Sequence, residues 1–544
     1  MKNQSQHGFI RTITMKEFHQ HLISFRFVVC FILSVILIGV SVYYRSTNYS
    51  ERLKDYNGAV INSHNELEQI EALSFLQPKV HRPPSKGSIF VEGIEGNLGT
   101  EVTISHHSIP TEAIGGNTIN QFAAASKGFD FSDVVVILLS LLAFLLSYDV
   151  ISGEKERGLL GLSLSNSIPR HQILFGKYLG GLLPLIFSVT AGMMVGILII
   201  LFIPDIQISG YFILRICLLY TASLIFLSLM LLLGIIVSSI TRQSFISLIF
   251  LLFIWVLFVF IVPRAAQYSA LQLKSVTSKR GVNEQIAQLK NEMNGKINEH
   301  KKTINPQRLN AAMNSRGEKG FMLTTGFNPP QTVEYYRQHF AYAVPLQIDY
   351  AQHFWNIERL HIDDLDKQAD FASVLAEFSP TSIYKRISET VTGTDRANHK
   401  SFLNAVRRYR LEIIDYIESQ GGFSSGLYFM QYDYNPSEVE IRLSNEFAPI
   451  QRKAMAIFQS GQREGLEEIK QKFSQKLQEL RQYGKDHPNE ARKPDLSGMP
   501  VFRFTPPDIL YDVKRSMVGL GFLIFLNILG FLVAHVAFLK YDVR

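Results

Sequence analysis

Six stretches almost empty of charge interrupt this chain: Phe27–Tyr44, Val134–Tyr148, Tyr178–Pro204, Ile216–Thr241, Gln243–Pro263 and Ser516–Leu539. At 1.5 Å rise per helical residue, about 20 apolar residues cross a hydrocarbon core of roughly 30 Å, so five of these windows suffice as they stand. The second becomes long enough when Phe131–Asp133 is added, with Asp133 among the headgroups. A cleavable signal peptide is excluded for the first, because Tyr43-Tyr44-Arg45 follows it in place of small residues. The remaining segments are ordinary in polarity. With 544 residues, 47% hydrophobic and 19% charged, the chain is a hybrid of membrane spans and water-exposed domains.

Orientation follows from Lys and Arg in the short loops. Lys2, Arg11, Lys16 and Arg26 precede the first window; Lys155, Arg157, Arg170 and Lys177 lie between the second and third; Arg242 precedes the fifth, and Lys540 and Arg544 end the chain. Asp205–Gly210, the short loop on the other side, has none. Both termini are therefore expected in the cytoplasm of a multi-pass cell (inner) membrane protein. The expected fold is an α-helical polytopic membrane protein with six transmembrane helices, a small α/β ectodomain and a larger, mainly helical ectodomain. Its parts are a cytoplasmic N-terminus with an interfacial helix (1–26), spans at 27–44, 131–148, 178–204, 211–241, 243–263 and 516–539, a first ectodomain (45–130), a cytoplasmic coupling loop (149–177), a second ectodomain (264–512) and a cytoplasmic tail (540–544). Loop asymmetry accounts for much of the net charge of +7, so no nucleic-acid partner is implied. The two cysteines, Cys30 and Cys217, fall inside windows, which leaves the ectodomains without disulfides.

Within the first ectodomain, Tyr49–Ser74 reads as helix, while Ser88–Val91 and Glu101–Ser105 read as short strands among glycines. The second carries apolar stripes at helical spacing: Ile286, Leu289, Met293 and Ile297; Phe402, Val406, Tyr409 and Ile413; Leu466, Ile469, Phe473, Leu477 and Leu480. These are expected to be core positions.

The loop between the second and third windows reads Asp149-Val-Ile-Ser-Gly-Glu154-Lys-Glu-Arg157-Gly158-Leu-Leu-Gly-Leu162, then after Ser163-Leu164 Ser-Asn-Ser-Ile-Pro169-Arg170, and ends Ile-Leu-Phe-Gly176-Lys177. A short helix here would present Leu159, Leu160, Leu162 and Leu164 to a protein groove and its charges to the rim. Glu154 and Arg157, three apart, are expected on one side of a turn. This pattern resembles the ABC type-two (ABC-2-like) exporter permeases: an acidic-basic-acidic stretch, Gly with an apolar pair, Pro or Ser with Arg, then an apolar run ending in Gly-Lys. Leu159 stands where the family often has Thr.

Three further stretches resemble a subfamily with large ectodomains of unknown function: Arg82-Pro-Pro-Ser-Lys-Gly-Ser-Ile-Phe-Val-Glu-Gly93; Ser379-Pro-Thr-Ser with Gly393-Thr-Asp395, His399 and Phe402; and Phe504-Thr-Pro506-Pro. The resemblance implies the permease subunit of an ATP-binding-cassette exporter, working in the lipid bilayer with a cytoplasmic ABC ATPase and a second permease copy or a related permease. Coupling would run through Glu154, Arg157, Gly158, Leu159, Leu162 and Arg170. A partner in the envelope, reached through the ectodomains, stays open, as does the substrate.

No Gly-x-x-x-x-Gly-Lys-Ser/Thr occurs, so the chain is expected to be no enzyme and to bind no cofactor; ATP and magnesium would be held by the partner ATPase. Gly422-Phe-Ser424-Ser-Gly426 fits a nucleophile elbow in spelling, yet a helix precedes it where a strand is required. His106–His107, with His81 and His64, carries no cysteine or fixed spacing that would single out a metal site. Arg215, near the end of the fourth window, is placed to snorkel, and His535 sits deeper in the last. The alternative to export is a membrane-anchored envelope scaffold or sensor without transport.

Overall fold

The computed structural model describes residues 2–115, 129–160, 169–304, 314–317, 320–323, 330–430 and 494–539, with isolated positions between 446 and 482. Six of its helices are long and apolar enough to cross a membrane: Phe25–Glu68, Phe131–Glu156, Arg170–Leu201, Gly210–Ile240, Ser244–Leu273 and Ile509–Leu539, here the first to sixth spans. Each contains or overlaps one window that hydropathy picks out. The chain is a polytopic α-helical membrane protein.

The first span has 44 residues, about 66 Å at 1.5 Å per residue, so it continues well past any bilayer. The expected helix from Tyr49 is this continuation. Before it lies a separate helix, Lys2–Ile23, broken off where Ser24 turns extended and its hydroxyl accepts the Phe27 amide. That N-terminal helix lies along the third span. Two glycines permit the approach, since a Cβ on Gly176 would stand 2.8 Å from Ile13, and one on Gly180 would stand 2.5 Å from Glu17.

The extramembrane segments pack as one body. Val80 and Val102 face each other in a two-stranded antiparallel sheet, β1 (Lys79–His81) with β2 (Glu101–Thr103). They share a hydrophobic core with Phe402, Val406, Tyr409 and Ile413 of helix Arg396–Ser419, and Phe502 and Phe504 lean on Phe402. The expected strand at Ser88–Val91 does not form: Lys86–Ile89 is a 3-10 turn, and Ile89, Phe90 and Val91 are buried against the spans. Gly87 lies against the carbonyl of Thr392, where a Cβ would collide. Helix Lys279–Thr303 packs its Ile286 and Ile297 side against the long helix Pro330–Ala376. Most of the Leu466–Leu480 stripe lies outside the described residues.

The departure from a simple division into spans and ectodomains is helix Pro380–Thr392. It is wedged between the fourth and sixth spans and buries Ile383, Tyr384, Ile387 and Val391 in the core of the bundle. Tyr384 is stacked on Phe226 with centroids 4.8 Å apart, and its hydroxyl lies 2.8 Å from Ser223. Proline at its first position, Ser379 as N-cap and Gly393 at φ +73° as C-cap define both ends. Thirteen residues carrying Lys385, Arg386 and Glu389 make too short and too charged a segment for a hydropathy window to register.

Gly87 and Gly58 form a matched pair for testing this packing. Gly87→Ala is expected to lower the apparent melting temperature of the purified protein by several degrees, equivalent to about 1–3 kcal/mol of overpacking. Gly58→Ala, in the first span's helical extension with open space around it, is expected to raise it slightly, by about 0.5–1 kcal/mol. Differential scanning fluorimetry on both variants checks the pair.

Candidate functional site

At the end of the bundle that holds the N-terminal helix, the acidic-basic-acidic stretch is spent on three different helices. Glu154 meets the third span: its Oε1 accepts from Lys177 Nζ at 2.7 Å. Lys155 meets the fourth, donating to the carbonyls of Ser239 and Thr241 at that helix's C-terminus, where a cation is favoured. Glu156 meets the fifth, accepting from the amide and hydroxyl of Ser244 in its first turn, where an anion is favoured. The amides of Ile151 and Ser152 add bonds to Ser238 Oγ at 3.1 and 3.0 Å.

Lys177 is the centre of this arrangement. It is 4% exposed and carries Glu17 of the N-terminal helix at 3.0 Å, Glu154 at 2.7 Å and the Val150 carbonyl at 3.2 Å. All three ammonium donors are thereby occupied. Gly176, one residue back, lets the N-terminal helix approach at Ile13, and Gly180 admits Glu17 itself. The Gly-Lys pair thus works as a unit, with glycine supplying approach and lysine supplying charge.

The residues expected to couple separate accordingly. Glu154 and Arg157 take different partners. The buried ammonium draws Glu154 inward, and it is unavailable as a rim charge, while Arg157 is exposed and folds back to the Gly153 carbonyl at 3.0 Å. The helix Ser152–Glu156 ends there, because Gly158 turns left-handed at φ +69° with open space around it. Leu159 follows, 45% exposed, beside the fully buried Leu160. Leu162 lies outside the described residues. Arg170 opens the third span and donates to the Leu539 carbonyl at the end of the sixth, 3.0 Å away. Arg157, Gly158 and Leu159 are therefore the outward-facing part of the set, and Glu154 and Arg170 are its internal supports.

The opposite end of the bundle carries a second polar constellation that sequence reasoning only grazed. Arg215 does not snorkel alone. It pairs with Asp512 at 2.7 Å and donates to the Val391 carbonyl. Asp512 accepts from Asn398 at 3.3 Å, Asn398 also bonds Asp395, and Asp395 pairs with Arg515. Below it, Ser379 and Thr381 both donate at 2.7 Å to the Phe258 carbonyl, which sits in a π-turn (Leu257–Ile261) of the fifth span. Such π-turns free a carbonyl from the helix ladder. Three stretches singled out in the sequence meet here: Ser85 bonds the Thr392 carbonyl, the Ile94 amide bonds the Thr394 carbonyl, and Phe504 packs on Phe402. A Ser-Pro-Thr-Ser string near the start of a short helix was the visible signal.

Ser424 is exposed in a turn between helices, and Gly421 and Gly422 both have positive φ, which is no strand–helix elbow. His106 packs beside Phe423 and Tyr428, and burial, then its neighbour His107, lowers its pKa to about 4, so it is neutral at pH 7. Burial and nearby Arg82 do the same for His399. Among the described residues, no group of three or more His, Cys, Asp or Glu is placed to hold a metal ion. His535 faces His171, their ring centroids 6.5 Å apart.

A bundle of six spans, braced at one end around a charged loop and crowned at the other by an extramembrane body, defines a polytopic membrane protein of the transporter kind. The family model for the ABC-2 family transporter protein matches residues 11–406, most of the chain, and a domain of unknown function (DUF3526) matches 324–505. The chain belongs to the ABC-2 transporter family, and it is a permease subunit of an ABC transporter. No curated protein matches it.

Lys177→Ala is expected to leave Glu17 and Glu154 as uncompensated buried anions, a loss on the order of 3–5 kcal/mol. The measurable outcome is loss of monodisperse protein in detergent. Combining Glu17→Gln and Glu154→Gln with Lys177→Met should restore most of it, and failure of that rescue would show that packing around Lys177, not charge, sustains the brace.

Proposed function

We propose that this permease moves a substrate outward across the cell (inner) membrane, energised by a separate ATPase that docks on the loop around Arg157, Gly158 and Leu159, with ATP and magnesium bound by that partner. The observation that carries the reading is the three-way anchoring of Glu154, Lys155 and Glu156. A push on the exposed Arg157–Leu159 turn reaches the third, fourth and fifth spans together, because each of the three preceding side chains is bonded to a different one. A loop that merely connected two spans would need no such anchoring. Pairing with a second permease copy or a relative completes a two-fold transporter, and both termini lie in the cytoplasm by the Lys and Arg asymmetry.

Leu159→Asp and Arg157→Ala are expected to reduce recovery of the partner ABC ATPase in affinity co-purification by at least tenfold, and to abolish permease-dependent stimulation of its ATP hydrolysis. These positions are exposed, so yield and melting temperature should stay near wild type. Truncating a charged or central interface residue commonly costs 2–5 kcal/mol of binding. Unchanged co-purification would sink the docking site and favour an envelope scaffold without transport.

Sidedness has its own test. Single cysteines at Asn57, Ser278 and Ser497, all exposed, should react with a membrane-impermeant maleimide in intact spheroplasts when Cys30 and Cys217 are replaced. One at Gln243, between the fourth and fifth spans, should react only after lysis. Labelling of Gln243→Cys from outside would reverse the orientation.

A further inference from the structure

Beyond the first span's apolar window, one face of its extension closes a cavity of about 490 Å³ against the 81–101 segment. That volume is within the range of small-molecule sites. Three guanidinium groups line it, Arg45 and Arg52 from the helix and Arg82 from the 81–101 segment, which also contributes Glu92, Glu95 and, beside His81, Glu101. Arg45 pairs with Glu92 at 3.0 Å, and Arg52 with Glu95 at 3.3 Å. Arg82, only 8% exposed, has no carboxylate of its own: its Nη2 reaches the Glu95 backbone carbonyl at 3.5 Å, and its Nε has no hydrogen-bond partner. Glu95 spends Oε1 on Arg52 and the Ser85 amide, while its buried Oε2 has no partner.

Buried charged groups left unsatisfied are strongly disfavoured, so the incompletely paired guanidinium of Arg82 calls for an anionic acceptor. Burial lowers the pKa of Arg82, with Glu95 opposing the effect, yet a guanidinium stays charged at neutral pH and the need for an anion remains. On the rim, Glu51 and Asp55 stand four residues apart on the first span's extension, exposed and without a partner among the described residues. Tyr56 lines the same wall and offers a ring face to a cation.

We propose that this cavity binds a small zwitterion, with its carboxylate or phosphate on Arg82 and its ammonium at Glu51 and Asp55. Two sources share that chemistry: a free amino acid or short peptide, and the ethanolamine phosphodiester headgroup of a phospholipid. The site is independent of nucleotide and of the ATPase, so it stands or falls separately from the export reading.

The test is calorimetric titration of the full-length protein in phosphate-free detergent solution. The probes are dialanine and glycerophosphoethanolamine, compared with the half-ligands acetate, glycerol 3-phosphate and ethanolamine. One zwitterion should bind saturably and at least tenfold more tightly than any half-ligand, and which one binds identifies the source. The exposed double variant Glu51→Gln/Asp55→Asn should weaken that binding at least tenfold without altering the melting temperature, and Arg82→Gln should abolish it. Absence of saturable binding by either zwitterion, equal binding by the half-ligands, or unchanged affinity in the Glu51/Asp55 variant would overturn the proposal. The last arm decides even if the buried Arg82 variant does not fold.

Discussion

A single ammonium group, that of Lys177, holds one end of this membrane bundle together. It lies buried between a carboxylate from the N-terminal helix and one from the loop after the second span, and neither acid could be sequestered there without it. A charged cluster of this kind is poor as a source of net stability compared with apolar packing, yet it is demanding about geometry. Both carboxylates must reach the one ammonium group, so the N-terminal helix, the loop and the third span can meet in few ways. Specificity of arrangement is what the cluster supplies, and the neighbouring Lys155 and Glu156 extend it by anchoring to the fourth and fifth spans.

The other end of the bundle solves a related problem by different means. The extramembrane body is attached by inserting a piece of itself, helix Pro380–Thr392, between the fourth and sixth spans. Apolar residues of that helix join the core of the bundle, and its polar ends are matched group by group: hydroxyls to the carbonyl released at the fifth span's π-turn, and Arg215 to the carbonyl of Val391. The extramembrane body is therefore joined to the fourth, fifth and sixth spans by packing and hydrogen bonds as well as by the peptide chain. The fourth and fifth spans are also the ones reached by Lys155 and Glu156, so the two ends share helices. Any rotation of these spans acts on both ends.

Much of the architecture was legible beforehand because hydropathy is a local and additive property. A window of some 20 apolar residues declares a span whatever surrounds it, and all six windows are matched by helices. Helical stripes such as Phe402, Val406, Tyr409 and Ile413 likewise declare a buried face through spacing alone. The strand expected at Ser88–Val91 failed for the opposite reason. Its residues have strand-like composition, but the segment packs against Thr392, more than 300 positions away, and buries Ile89, Phe90 and Val91 in the bundle.

The candidate site shows the same division at the level of single residues. That the Glu154-Lys-Glu-Arg157 stretch is a charged link between two spans was readable from hydropathy. Which of its charges face inward was not, since Glu154 and Arg157 are equivalent by helical spacing, and only the buried Lys177 distinguishes them. Sequence by itself determined the number of spans, the charged loop, the absence of disulfides and the helical character of the larger extramembrane part. Tertiary structure alone decided the partners of Lys177, the descent of Pro380–Thr392 into the bundle, and the meeting of Arg82 with Glu95 at the wall of a cavity. The physical reason is range: burial of apolar length depends on neighbours along the chain, whereas pairing of buried polar groups depends on which distant segments the packed helices bring within 3 Å.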